Sequence, residues 1–198
     1  MVRCKWCEAN ELLREYHDKE WGIPLHDDRK LFEFLVMEVM QCGLNWNMMM
    51  KKREIFRSCF DGFDYDRIAE YGEEEIQAIM DTPGMIRSAR KIRAVIHDAG
   101  IYKDIREEYG SFDRYLWGFT EGKTLIWKSH QQTPVASNAL SDRISRDLKK
   151  RGFKYMGSVT IYSHMQACGM INDHDEECGC YGRIIAGYPV EWVKEDTP

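Results

Sequence analysis

Apolar residues recur at helical spacing along most of the chain, and the strict alternation of a half-buried strand is scarce. The densest stretch is residues 31–46, LFEFLVMEVMQCGLNW. It reads as a helix capped by Asp28 and ending near Gln41-Cys42-Gly43, apolar enough to be buried. Asn10 caps a short helix running to about Tyr16. Residues 48–60 form a further helix stopped by Asp61-Gly62, and 65–70 and 73–80 form two short ones. After a tight turn at Asp81-Thr82-Pro83-Gly84, helical spacing resumes over 88–99, with Ile92, Val95, Ile96 and Ala99 on one face. Ser111 caps a helix through Trp117. Residues 137–151 are amphipathic and stop at Gly152, and 158–168 stop in the same way at Gly169. The expected fold class is all-α.

One carboxylate, Glu38, lies well inside the apolar run, with Gln41 and Trp46 close behind it. A buried carboxylate is costly without partners. Glu38 is either satisfied by the protein itself or kept for a polar ligand, and an indole such as Trp46 stacks well on a flat, electron-poor ring. The turn Pro83-Gly84-Met85-Ile86 joins two helices. It is either an ordinary connection or a phosphate grip, in which Gly84 admits a close backbone approach and Arg87, Arg90 and Lys91 add charge beside the helix start.

A chain of 198 residues, 43% hydrophobic and 31% charged, fits one compact domain or two lobes sharing a core. No apolar run is long enough to span a membrane, and MVRCKWCEAN has no signal-peptide core, so a cytoplasmic location is expected. The net charge of −5 argues weakly against nucleic acid, but the positive charge is clustered. The clusters are Lys51-Lys52-Arg53, residues 87–93, and Lys149-Lys150-Arg151 with Lys154. Each is either a solvated helix face or a contact for a polyanion. Seven cysteines without a secretion signal favour metal binding or free thiols over a disulfide framework. Cys4 and His17 near one end, with His174 and Cys178 near the other, make a Cys2His2 set. That set either holds a tetrahedral metal or consists of unliganded thiols and surface histidines. Cys4-x-x-Cys7 is itself a ligand-like spacing, and Cys180 is a further candidate. Four protein ligands leave no open position, so a metal here is structural and ties the termini together.

Six segments in order carry a resemblance: YHDKEWGIP (16–24), LFEFLVMEVMQCGLNW (31–46), KKREIFRSCF (51–60), GMIRSARKI (84–92), TPVASNALS (133–141) and LKKRGFKYMGSVTIYSHMQACGMINDH (148–174). Together they resemble the 3-methyladenine DNA glycosylase I family, a branch of the helix-hairpin-helix superfamily. The resemblance covers about residues 2–182. It implies a single glycosylase domain over 1–198, with a hairpin lobe at about 28–130. A zinc-stapled second lobe, about 1–27 plus 131–182, joins the N- and C-terminal segments, and 183–198 is an extra tail. One structural zinc ion per chain is implied on Cys4, His17, His174 and Cys178, with Cys7 a bystander or an alternative ligand. The implied base pocket is Glu38, Tyr16 and Trp46, with Trp6 and Trp21 nearby.

The implied activity is monofunctional hydrolysis of the N-glycosidic bond of 3-methyladenine in alkylated double-stranded DNA, by a monomer with no membrane partner. An adenine alkylated at N3 is cationic and already a good leaving group. The enzyme must admit the cation and reject ordinary adenine. An aromatic wall favours the cation, and a buried carboxylate accepts charge-assisted hydrogen bonds from the purine. Glu38 is therefore the catalytic-site residue on which base selection turns, as a reader and not a proton donor. The base must leave the helical stack, with Leu44 a wedge for the gap. Gln41 contacts DNA or braces the loop, and Gly84, Arg87 and Lys91 are the expected hairpin contacts. The alternatives are a non-catalytic relative that binds alkylated bases or DNA, and a zinc-stapled helical protein with an unrelated partner. Lyase action needs an amine near the hairpin, where Ser88 stands in the expected lysine position and Lys91 lies one turn away. The chain departs from the family pattern at Val39, Met40, Asn45, Asn47, Met48 to Met50 and Ala89.

Overall fold

Helix α2 (Asp28–Gln41) runs through the centre of the molecule, and every residue from Leu31 to Met40 is buried. The computed structural model describes residues 1–41, 43–128, 130 and 133–193. Cys42, part of the expected end of α2, and residues 194–198 of the tail lie outside the described residues. Helices α3 (Trp46–Cys59), α6 (Ala89–Tyr109), α7 (Phe112–Trp117) and α9 (Ser158–Ala167) pack against α2. Between them run α4 (Tyr65–Ile68), α5 (Glu73–Asp81) and α8 (Ala139–Arg151), with α1 (Glu11–Lys19) before and α10 (Gly179–Gly187) after. The described residues are mostly helical, and none of their helices is long and apolar enough to cross a membrane.

Several helix ends follow from single side chains. Asn10 accepts the Leu13 N–H at 3.0 Å and starts α1. Ser111 does the same for Arg114 at α7, and Gly110 and Gly152 end α6 and α8 in the left-handed region. Asp28 departs from its expected role. Asp27 caps α2 by accepting the Lys30 N–H at 2.8 Å. The Asp28 carboxylate instead accepts the N–H groups of Phe112 at 3.0 Å and Asp113 at 2.8 Å, which ties the start of α2 to the start of α7.

Helix α6 runs ten residues beyond the expected end at Ala99, straight through Gly100. A mid-helix glycine costs about 1 kcal/mol. Burial of Tyr102 and Ile105 offsets it, and the Tyr102 hydroxyl donates to the Asp28 carbonyl at 2.7 Å. The all-α expectation also needs one amendment. Strands β1 (Thr124–Ile126) and β2 (Val190–Trp192) pair in parallel, with Thr124 opposite Val190 and Ile126 opposite Trp192. Three residues are too few to leave a readable alternation. The segment expected as a tail is thus partly built into the fold, through the end of α10 and through β2.

A second, smaller apolar cluster gathers Cys4, Ile126, Cys178, Cys180 and Tyr181, with Trp21 and Val190 packed against it. It joins the two ends of the chain. Gly169, at φ +77°, ends the turn after α9 and lies hard against the 23–24 backbone. A Cβ there would come within 2.4 Å of the Pro24 nitrogen. Gly169→Ala is expected to destabilise the protein by more than ~1 kcal/mol, because both the dihedral and the space exclude a side chain. An unchanged urea midpoint would contradict this.

Candidate functional site

A cleft of about 450 Å³ opens where α1, α2, α3 and α9 converge. Helix α1 supplies Tyr16, α2 supplies Glu38 and Gln41, and the first residue of α3 is Trp46. Trp6, on the 3-10 turn Lys5–Ala9, and Trp21 complete an aromatic wall. The Tyr16 ring lies 5.6 Å from Trp46 and 6.3 Å from Trp6, and Trp6 meets Trp21 edge-on at 5.0 Å. All five expected base-pocket residues therefore line one cavity. Two asparagines hold Trp46 in place. Asn45 caps α3 by accepting the Asn47 N–H at 2.8 Å, and the Asn47 side chain accepts from Asn10 at 2.9 Å. These departures from the family pattern thus serve to fix the indole. Val39 and Met40 are buried in the core and do not line the cleft.

Two buried carboxylates on α2 shift in opposite directions. Burial acts against the charge of Glu33, but the Arg53 hydrogen bond at 2.6 Å and Lys30 at 2.8 Å outweigh it and hold its pKa below the usual value. Arg53 in turn bonds both oxygens of Glu20 at 2.7 Å. Burial pushes Glu38 up to about 8. Burial thus disfavours its charged form, and a positive charge in the cleft would favour it. Burial and the nearby Glu38 also push the Tyr16 hydroxyl well up, and among the described residues that buried hydroxyl has no hydrogen-bond partner. An orphaned donor in a cleft wall is a place where a ligand supplies the missing partner.

The cleft also contains residues that the pattern along the chain did not reveal: Pro134, Ser163, Gln166, Asp173 and Asp175. The Asp173 carboxylate accepts from the Tyr162 hydroxyl and from Gln166 at 2.9 Å. Asp173 stands directly before His174, and that adjacency was the one available signal for it.

Behind the aromatic wall, Cys4, His17, His174 and Cys178 are all buried, and their ligand atoms lie within 4.8 Å of one another. These residues can hold a metal ion. Cys4 Sγ is 3.5 Å from His174 Nδ1, and Cys178 Sγ is 3.5 Å from His17 Nε2 and 3.7 Å from His174 Nδ1. The outward nitrogens are already engaged. His17 Nδ1 meets the Asp18 carboxylate at 2.9 Å, and His174 Nε2 meets the Trp21 carbonyl at 3.2 Å. Each of these contacts favours the tautomer whose inward nitrogen carries the lone pair a metal would need. Arg3 hydrogen-bonds Asp18 and, with His17, holds it down at about 2. Burial lowers His174 to about 3, so its ring is neutral, and burial pushes the Cys4 thiol well up. Backbone N–H groups of Asp175 and Cys180 point at the Cys4 and Cys178 sulfurs, at 3.3 and 3.4 Å. Cys7 stands apart and donates to the Cys4 carbonyl. Cys180 lies 3.9 Å from the outer nitrogen of His17, in a separate grouping with Asp18.

The expected DNA contacts separate in space. Gln41 lines the cleft, and the half-buried Leu44 donates its N–H to the Gln41 carbonyl at 2.5 Å. Gly84, at φ +81°, and Arg87 are exposed on the turn between α5 and α6. Lys52 donates to the Gly84 carbonyl, so part of the first basic cluster braces this turn. Lys91 departs from expectation. It is buried, and its ammonium donates to the Met40 carbonyl at 2.8 Å, because its position on α6 faces the end of α2 and not the surface.

Residues 6–181 match the family described as methyladenine glycosylase. The chain is 39% identical over 182 residues to DNA-3-methyladenine glycosylase 1 of Escherichia coli (strain K12), covering 91% of this chain and 97% of that protein. A crystal structure of a 3-methyladenine DNA glycosylase I superposes with a TM-score of 0.85 at 40% identity, covering 90% of this chain and 99% of the other. A Tyr-to-Phe variant of 3-methyladenine DNA glycosylase I in complex with 3-methyladenine superposes with a TM-score of 0.85 at 30% identity, covering 90% and 97%.

An unpaired buried hydroxyl costs about 1–3 kcal/mol. Tyr16→Phe removes that cost while keeping the ring contacts. The ligand-free variant is expected to be as stable as the parent or more so in thermal unfolding, and a clear loss of stability would contradict the orphaned hydroxyl.

Proposed function

Because the chain belongs to the methyladenine glycosylase family, we propose that its cleft receives 3-methyladenine from alkylated DNA and that the protein is a DNA-3-methyladenine glycosylase of base-excision repair. The observation that carries this reading is Glu38, a carboxyl pushed up to about 8 by burial, set in a wall of Trp46, Tyr16, Trp6 and Trp21. The lesion base is a cation. Its arrival draws the Glu38 proton off, and the carboxylate then accepts hydrogen bonds from the purine edge while the indoles face its charge. Ordinary adenine brings no charge to offset the cost of ionising Glu38, so it is rejected. The Tyr16 hydroxyl gains its missing partner from the bound base.

The reaction is monofunctional hydrolysis. The base is flipped into the cleft, with Leu44 filling the gap and Gln41 at the cleft edge. The bond between the base nitrogen and the sugar C1′ breaks, the base leaves neutral because it entered as a cation, and water oxygen bonds to C1′ and releases its proton. Lys91 is committed to the Met40 carbonyl, which supports hydrolysis over lyase chemistry. The α5–turn–α6 unit, with Gly84 and Arg87 exposed at its tip, supports a helix-hairpin-helix reading in which this turn grips a backbone phosphate.

The metal is a structural zinc ion. Zinc bonds of about 2.3 Å to sulfur and 2.0–2.1 Å to nitrogen, at tetrahedral angles, place S and N about 3.6 Å apart. The three observed S–N distances, 3.5, 3.5 and 3.7 Å, fit. With four protein ligands the ion takes no part in the chemistry. Cys4, His17, His174 and Cys178 would hold it, and it would keep His17, and hence the neighbouring Tyr16, against the segment of His174 and Cys178.

Purified protein is expected to release free 3-methyladenine from methylated duplex DNA, and Glu38→Gln to reduce the rate by at least tenfold. Release equal to a no-enzyme control would favour a non-catalytic base-binding protein, and an unchanged Glu38→Gln rate would remove the reader role. Metal analysis is expected to find one zinc per chain, lost in Cys178→Ser. Native protein without zinc would overturn the assignment.

A further inference from the structure

The cleft is walled by indoles from two separate segments. Trp6 lies on the 3-10 turn Lys5–Ala9, and Trp46 opens α3. The Tyr16 ring touches both, at 6.3 and 5.6 Å. The gap between these two walls depends on how the turn is held relative to the helix. Near its start the turn is anchored by Cys7, whose backbone N–H and thiol both meet the Cys4 carbonyl. At its end stands Asn10, a half-buried residue that leads into α1.

The Asn10 amide works in two directions. Its oxygen accepts the Leu13 N–H at 3.0 Å, so the other end of the amide is left to donate. It donates to the Asn47 side-chain oxygen at 2.9 Å. Asn47 follows Trp46 directly, and its own N–H is held by the Asn45 side chain at 2.8 Å. One amide–amide hydrogen bond, across 37 positions of sequence, thus joins the segment of Trp6 to the first turn of α3. The packing beneath that turn is compliant. Met49 and Met50 are buried there, and methionine adapts its shape to its surroundings. The directional polar contact, more than the apolar packing, therefore fixes where α3 begins relative to the turn. A slot held in this way selects by thickness. A methyl group on N3 stays in the plane of the purine, whereas the terminal carbon of an ethyl group stands out of it.

We propose that the Asn10–Asn47 hydrogen bond is a strut that sets the gap between Trp6 and Trp46. Through it, Asn10 and Asn47 are positioning residues that favour an N3-methyl purine over purines with longer N3-alkyl groups. The inference rests on the reading that the cleft receives a 3-alkylated adenine, and its test reads the strut separately from that reading.

The test is calorimetric binding of the full-length protein to the 3,9-dimethyladeninium ion and to its 3-ethyl-9-methyl counterpart. Wild-type protein binds the methyl cation more tightly. Asn47→Leu keeps the size of the side chain and removes the acceptor, and Asn10→Ser keeps a helix cap and removes the donor. In each, the methyl-to-ethyl affinity ratio falls by about threefold or more, the scale of one net hydrogen bond. The two substitutions combined do no more than either alone, because both remove the same bond. Asn47→Asp, which keeps an acceptor, holds the parental ratio. A contact that only stabilises the fold would lower the thermal midpoint and weaken both cations alike. A parental ratio in folded Asn47→Leu therefore overturns the proposal, as does a ratio in Asn47→Asp equal to that of Asn47→Leu, or equal binding of the two cations by wild-type protein. Wild-type protein that binds neither cation contradicts the reading of the cleft itself, whereas discrimination that survives Asn47→Leu contradicts the strut alone.

Discussion

The structure depends on one constraint, a carboxyl group held inside an apolar helix. Helix α2 is buried from Leu31 to Met40, and placing two glutamates there is expensive. The protein resolves the two costs differently. Glu33 is neutralised from within, by Arg53 and Lys30, and belongs to a network that also secures Glu20. Glu38 is pushed up to about 8 by burial and faces a cleft where a flat cation fits. The first carboxylate stabilises the fold. The second makes the energy of the site depend on what enters it, and selectivity for a charged base follows from that dependence.

The other elements keep that site in shape. Asn10, Asn45 and Asn47 form a short chain of caps and contacts that fixes the start of α3, and with it Trp46. The Cys–His cluster fixes the opposite wall. Trp6 packs edge-on against His17 at 5.5 Å, and Trp21 against His174 at 4.6 Å. Both indoles thus rest on candidate metal ligands. The segments around Trp6 and around Asp173 form one side of the cleft, held together by the cluster and the small apolar core around Tyr181.

Much of this was legible in the residues. Helical periodicity and local caps such as Asn10, Ser111, Gly152 and Gly169 placed most helices to within a few positions, because a cap acts over three or four residues. What depends on distant neighbours was not legible. Asp28 serves α7, some eighty residues away, and nothing local distinguishes it from Asp27. Lys91 sits in a run of cations that reads as uniformly exposed, yet the helix turns it inward. Strands β1 and β2 are too short to show a pattern. In the site, Glu38, Trp46 and the Cys–His set stood out as costly or reactive residues. Asp173 and Gln166 did not, since isolated polar residues in a buried helix or turn have no characteristic spacing.

The central claim is that Glu38 exchanges its proton for a cationic purine. It is tested most directly by calorimetric titration at pH 7 with the 3,9-dimethyladeninium ion, which carries the lesion's fixed charge, in buffers of different ionisation enthalpy. With Glu38 at about 8 in the empty cleft, close to one proton is released per ion bound, and none is released by Glu38→Gln. Binding without proton release in the parent protein, or equal release in the variant, would contradict the account.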